Sequence, residues 1–467
     1  MEWSRRRFVK VGLGSLGTLC IPAWSWADAL APAAGNVASG NDDQHFFLQI
    51  LVPNGMDPTY LFDARPLTMT AAGKIQNYLG ADPSVWTGVN GLNSLATSLT
   101  DPLKPFRSNF SVLNGVMMAT NFDGHEQNMN FLFTGDAFGG NSFIPHLNLG
   151  AGSTMQHLPM DALQMGLVPA SVSNGSGTVP LTMESAKLLV EKLRVATPLM
   201  PQNPLIAFIR QRMAAAAQGD GRFSAGAQAM MAGYDQAPAL ANMLKQLDLG
   251  DVQGTEETKF LTLVAELFRK GAVRSAILSV ASKGSVDTHD NMSCKASPAL
   301  FTELVGKFAQ VLTYLRDTPF DSKRSLMDVT TFMITSEFGR TMRQVYAPSI
   351  DQTGTDHNPL SNSVIMGGKG IRGGMVVGQS DFQSATEVLS KTHVSFDPMS
   401  VKLMGRPFDF TTLKPRPDLP ETYNVDDYLN VASVANTVYS MFGVPQTYYR
   451  LLKRGMDPAP VLSGLLS

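Results

Sequence analysis

The chain alternates short, continuous apolar runs with longer stretches of helical spacing. Phe46–Val52 (FFLQILV) is apolar almost throughout, as expected of a strand covered on both faces. It stops at Pro53-Asn54-Gly55-Met56-Asp57, a turn that carries a carboxylate. Phe110–Val116 and residues 275–281 read as further strands. Residues 331–335 are β-branched and apolar and end in Ser336-Glu337-Phe338-Gly339-Arg340. Residues 363–366 read as another strand, leading into a glycine-rich turn at 367–374. Helical spacing marks 91–103, 258–274 and 298–316, the last with Leu300, Leu304, Phe308 and Leu312 four apart on one face. Residues 428–442 form a last predicted helix, closed by Gly443 with Pro445 beyond it. Strands alternating with helices predict an α/β fold with a mostly parallel central sheet and helices on both faces.

Between residues 150 and 255 the pattern changes. Strand signals are sparse, methionine is common, and helices are expected at 204–217 and 226–249. This stretch reads as a helical insertion or cap within one domain running from 45 to 467.

The N-terminus carries an export pattern. Ser4-Arg5-Arg6-Arg7-Phe8-Val9-Lys10 matches the twin-arginine motif, and a weakly apolar, glycine-containing stretch follows at 11–21. Ala27-Asp28-Ala29 offers a small-x-small cleavage site, so residues 1–29 read as a signal peptide. The apolar stretch is shorter than the roughly 20 residues a membrane span needs. Residues 30–44, rich in Ala, Pro, Gly and Asn, read as a disordered leader. A periplasmic or secreted protein, delivered by the twin-arginine machinery and without a span in the mature chain, is expected.

Composition narrows the function classes. Charged residues make up 16% and the formal net charge is −2 over 467 residues, with no basic patch interleaved with aromatics, so nothing favours nucleic acid. Of the two cysteines, Cys20 lies in the expected signal peptide, so the mature chain is expected to form no internal disulfide.

The candidate chemistry sits at strand ends: Asp57, His125 after the strand at 110–116, Asp287 with His289, and Glu337 followed by Asp356 and His357. Right-handed connections would bring these ends to one sheet edge. Aspartate and histidine together are common ligands for Zn²⁺ or Mn²⁺ in hydrolases. Arg340 has the planar fork that suits a phosphate, sulfate or carboxylate, or it pairs with Glu337 or Asp356. Gly367-Gly368 and Gly373-Gly374 offer an anion cradle.

Taken together, Asp57, His125 nine residues before Thr134-Gly135, Asp287-Thr288-His289, Thr335-Ser336-Glu337-Phe338-Gly339-Arg340-Thr341 and Gly354-Thr355-Asp356-His357 resemble a known set. It is that of the twin-arginine-exported family called domain of unknown function 1501, in the alkaline-phosphatase and sulfatase-like superfamily. The resemblance covers about residues 45–465. It implies a two-metal hydrolase fold, with Asp287, His289 and His357 holding one metal and Asp57 serving the second. Glu337 and Phe338 fall where the superfamily has an Asp-His pair, and Phe338 cannot ligate. The nucleophile's position, usually a hydroxyl or modified cysteine, is held by His125, which can attack, act as a base for water, or replace a ligand. A single residue separates Asp287 from His289, fewer than in the superfamily's pattern. The expected activity is metal-dependent hydrolysis of a small anionic phosphate or sulfate ester. Here His125, Glu337 and Arg340 would serve catalysis, and Asp57, Asp287, His289 and His357 the metal. The alternative is a catalytically degenerate member that binds an extracytoplasmic partner.

Overall fold

The computed structural model of the protein describes residues 44–66, 82–118, 124–137, 142–147, 162–165, 181–182, 254–271, 273–342, 354–383, 402–420, 422–444 and 459–467, with isolated positions at 208, 211, 212 and 214. The expected signal peptide and the helices at 204–217 and 226–249 lie almost wholly outside them. Gln44, counted above in the leader, is buried, and its carbonyl accepts from Lys369 Nζ at 2.6 Å.

An eight-stranded sheet organises the described residues. Its strands, in chain order, are β1 (Phe46–Val52), β4 (Phe110–Val116), β5 (Leu163–Met165), β6 (Leu181–Thr182), β7 (Ser275–Ser279), β8 (Thr330–Ser336), β11 (Asn362–Gly368) and β12 (Val376–Val377). Smaller pairs are β2 (Ser84–Thr87) with β3 (Asn93–Ala96) and β9 (Gly339–Arg340) with β10 (His357–Asn358). The sheet order is β12-β4-β11-β8-β1-β7-β5-β6. All neighbours pair in parallel except those of β11, which runs antiparallel to both β8 and β4. The mostly parallel α/β sheet expected from the sequence is therefore present. Residues 163–165 and 181–182 also show that the 150–255 stretch contributes edge strands as well as any covering helices.

β1 sits centrally and its alternation is the core in miniature. Phe46, Leu48, Ile50 and Val52 join the cluster on one face, while Phe47 and Leu51 join the cluster on the other. Both faces are apolar because both are covered, which is why the strand reads as a continuous apolar run. The first face packs under α3 (Glu256–Arg269), α4 (Asn291–Asp317) and a 3₁₀ segment at Ser98–Asn109. The second packs under α1 (His125–Thr134), α2 (Phe143–His146) and α5 (Val431–Phe442).

Helix ends follow capping chemistry. α4 begins earlier than its apolar stripe implied because Asp290 and Ser293 form a reciprocal capping box ahead of it. α5 begins at Val431 rather than 428, because the Asn430 side chain accepts from the amides of Ala432 and Ser433 and holds its own backbone extended. It ends as expected at Gly443, φ 65°.

Two sequence expectations are corrected. Residues 91–103 are not a helix: β2 and β3 form a hairpin whose turn holds Gly91 at φ 76°, and a 3₁₀ segment containing Pro102 and Pro105 follows. Two prolines in one turn remove the donors a helix needs. The glycine-rich turn at 367–374 is also not beside the candidate residues. Because β11 is antiparallel, Gly367 and Gly368 pair with Phe332 and Thr331, near the start of β8. A Cβ at Gly373 would strike the backbone of Ser108 and Asn109, before β4. The turn therefore lies at the opposite sheet edge and cradles nothing at the site.

Candidate metal centre

The parallel register fixes where the candidate residues arrive. Val52 lies opposite Ser336 and Leu51 opposite Ser279, so β1, β7 and β8 end together. Their loops carry Asn54 to Asp57, Asp287 to Asp290, and Glu337 to Arg340. β9 then turns back and pairs with β10, placing His357 directly opposite Arg340. α1, which follows β4, starts with His125 as its first residue.

Two loops bring the histidines together. Thr355 donates its backbone amide to the Thr288 carbonyl at 2.8 Å, and the two buried threonine hydroxyls meet at 2.8 Å. Gly354 permits this approach, since a Cβ there would lie 2.0 Å from the carbonyl carbon of His289. The similar motifs Asp287-Thr288-His289 and Thr355-Asp356-His357 are thus stapled by their threonines, with the neighbouring side chains facing a common point.

At that point the donor atoms converge. His289 Nε2 is 2.9 Å from Asp287 Oδ1 and 3.0 Å from His357 Nε2. His357 Nε2 is 3.5 Å from Asp287 Oδ1, and His125 Nε2 is 3.5 Å from Asp287 Oδ2. His289 Nδ1 is 3.8 Å from Asp356 Oδ1. Two ligand sets emerge among the described residues, His125-Asp287-His357 and His289-Asp356-His357, each with donors within 4.8 Å of one another. Ligands about 2.0–2.1 Å from a tetrahedral zinc ion stand about 3.4 Å apart, so these spacings fit a single divalent ion with little movement.

Glu337 does not join the donors. Its buried carboxylate accepts from the Asn54 amide at 2.7 Å and from Ser336 Oγ at 2.9 Å. Its Oε1 also lies 2.8 Å from His125 Nδ1. That contact fixes the ring and leaves Nε2 turned to Asp287, the arrangement in which a carboxylate orients a ligating or basic histidine.

Phe338 is fully buried and forms an aromatic wall of the site. Its ring centroid is 4.5 Å from that of His357 and 4.9 Å from that of His125. Asn54 and Gly55, at φ 79° and 80°, turn the β1 loop tightly over it. A Cβ on Gly55 would lie 2.4 Å from the Phe338 ring.

Arg340 is fully buried. It donates from Nη2 to the Asn54 carbonyl at 3.2 Å and to Asp287 Oδ1, and Nη1 lies 3.4 Å from His289 Nε2. Its ion-pair partner is Asp287, not the Glu337 or Asp356 that sequence proximity offered. Burial lowers its pKa to about 10, so the guanidinium stays charged at neutral pH.

Asp57 is not in either ligand set. Its Oδ1 accepts from the amide and hydroxyl of Thr59, at 2.9 and 2.7 Å, and caps a 3₁₀ turn at Pro58–Tyr60. Burial pushes its carboxyl up to about 6 against the opposing pull of those hydrogen bonds and of Arg340. Sequence reasoning passed over Asp356 as a metal donor. The Thr-Asp-His repeat of the second motif, mirroring Asp-Thr-His, was the signal available for it.

Residues 195–396 match the model of a family described as "Protein of unknown function (DUF1501)", bearing out the family resemblance of the motifs. The match spans Asp287, His289, Glu337, Arg340 and His357 but neither Asp57 nor His125. No curated protein matches the chain. Among solved structures, a sulfatase from Pseudoalteromonas sp. aligns at 10% identity and TM-score 0.33, covering 100% of this chain and 77% of that one. The alkaline phosphatase from the Antarctic bacterium TAB5 aligns at 9% identity and TM-score 0.28, covering 69% of this chain and 91% of that one.

Proposed function

We propose that the protein is an exported, metal-dependent hydrolase of small phosphate or sulfate esters that uses water as its nucleophile. The observation that supports this reading is the convergence of three imidazoles and two carboxylates at the C-terminal edge of a parallel sheet. His289 and His357, with Asp287 and Asp356, supply nitrogen and oxygen donors of the kind Zn²⁺ or Mn²⁺ takes. A divalent ion held there would supply Lewis-acid polarisation of the ester oxygen and would lower the pKa of a bound water to about 7.

The chain's own groups take the remaining roles. Arg340, fully buried, holds Asp287 through Nη2 and keeps a fixed positive charge beside His289. Glu337 holds His125 through Nδ1, so Nε2 can ligate or take a proton from water. The position that holds a hydroxyl in the resembled superfamily is His125, so a covalent ester of serine or threonine is not part of this route. The twin-arginine motif supports delivery outside the cytoplasm, and no described helix is long and apolar enough to cross a membrane.

Phe338 favours a second reading. A non-ligating ring packed against His125 and His357 is compatible with a site that has lost turnover and serves binding or assembly. Metal analysis of the purified mature protein, with a panel of aryl phosphate and aryl sulfate esters, separates the two. The hydrolase reading expects bound metal that is lost in His289→Ala and His357→Ala, together with turnover that falls in parallel. A folded, metal-free protein without turnover on any ester sinks it.

A further inference from the structure

Arg340 is an unusual side chain to find inside a metal centre, and its surroundings specify what it does there. The side chain is 0% exposed. It reaches Asp287 and Asn54 through Nη2 and His289 through Nη1, and its buried Nε has no hydrogen-bond partner among the described residues. Asp57 and Asp356 also lie near enough to act on it electrostatically. One permanent cation thus stands among three carboxylates, Asp57, Asp287 and Asp356, and holds Oδ1 of Asp287 while His125 faces Oδ2.

The backbone holds the guanidinium there. Arg340 pairs in register with His357 across β9 and β10, and Gly339 before it could not carry a Cβ without striking the Ser361 carbonyl at 2.0 Å. Gly55 closes the other side, where a Cβ would come within 3.1 Å of Arg340 Nε. Asp57, the carboxylate that the resemblance assigned to a second metal, has Oδ1 engaged by Thr59 and stands in neither convergent donor set. A divalent ion between Asp57 and Asp287 would have to displace Arg340 Nη2 from Asp287 Oδ1, whereas an ion among the histidines can take Oδ2, the oxygen that faces His125.

We propose that the guanidinium of Arg340 is the site's second cation, so that the centre takes one divalent ion per chain, among the histidines on the Oδ2 side of Asp287. Arg340 is then a positioning group. It neutralises Asp57, orients Asp287 through Oδ1 while Oδ2 faces His125, and holds positive charge where a second ion would otherwise be required.

The proposal rests on the metal-site reading above, and zinc stoichiometry distinguishes the two. Equilibrium dialysis of the full mature protein against micromolar Zn²⁺, with metal analysis, is expected to give one ion per chain in the wild type. It should give one in Asp57→Asn, because Asp57 binds none. Arg340→Lys, which keeps the charge, should also hold one. Arg340→Gln leaves three carboxylates uncompensated and should hold two, returning to one in the double variant Asp57→Asn/Arg340→Gln. Two ions in the wild type, falling to one in Asp57→Asn, would overturn the proposal while leaving the hydrolase reading intact. No bound ion in the wild type overturns both. The wild-type and Asp57→Asn measurements decide the matter even where Arg340→Gln fails to fold.

Discussion

His289 Nε2 and His357 Nε2 stand 3.0 Å apart across two loops that are otherwise joined by threonines. Two neutral imidazoles share that distance in two ways. One donates its N–H to the other's lone pair, or both direct lone pairs at a common cation. With Asp287 2.9 Å from the same His289 nitrogen, the second arrangement gathers three donors on one point. Zinc should therefore stabilise the fold. At a free concentration a hundred times its Kd the gain is about 2.7 kcal/mol. Differential scanning calorimetry with and without zinc should show a raised Tm for the wild type and none for His289→Ala or His357→Ala.

Gly354 tests whether the histidine pairing depends on the loop contact. A methyl there would lie 2.0 Å from the His289 carbonyl carbon, so Gly354→Ala must push the two loops apart. Zinc affinity is expected to fall at least tenfold. The sheet, which does not include this loop, should keep its urea midpoint within a small change. Unaltered zinc binding by calorimetric titration would show that the staple is dispensable.

Glu337→Gln probes the orientation of His125. The amide can still accept from Asn54, but it loses the charge that holds His125 Nδ1. Outer carboxylates of this kind typically contribute 10–100-fold to metal affinity or activity, so a loss in that range is expected. The comparison is ester turnover and zinc affinity measured on the same preparation; no change in either would assign Glu337 to the fold alone.

The Asn54-Gly55 turn should be intolerant. Gly55→Ala combines a left-handed φ of 80° with a Cβ 2.4 Å from the Phe338 ring. Strain and overpacking together predict a loss of about 2–5 kcal/mol. Because part of the cost is the clash, Phe338→Leu should recover some of it in the double variant. Denaturant titration of the four proteins gives the coupling directly, and strict additivity would refute the clash.

His45 predicts acid sensitivity. It is buried, stacks on Phe442 with centroids 4.2 Å apart, and meets Thr331 Oγ1 at 2.6 Å. Burial, reinforced by Lys369 and Arg274, lowers its pKa from 6.5 to about 3. The folded state thus keeps His45 neutral while the unfolded chain protonates below 6.5. Its stabilising contribution is present above pH 6.5 and is lost as pH falls from there toward 3. The loss is at most about 1.4 kcal/mol per pH unit. Urea unfolding of the wild type and His45→Gln across that window should differ in slope, with the wild type steeper.

Much of the scaffold is written in local pattern. Continuous apolar runs such as Phe46–Val52 announce strands covered on both faces, and Phe110–Val116 was legible to the residue. The sequence also picked out Asp287, His289 and His357, because strand ends in parallel sheets are where side chains can converge. Strand direction was not legible: β11 looks like its neighbours in composition, yet it runs against them and carries its glycines to the far edge. Nor could chain order show that Arg340 pairs with Asp287, 53 residues away. Local pattern reports which faces are buried, since burial acts residue by residue. The direction of a strand, the partner of a charge and the placement of Asp356 rather than Asp57 beside His289 and His357 are set by contacts between distant segments. Only the packed chain decides these, through the loop geometry of Gly55, Gly339 and Gly354.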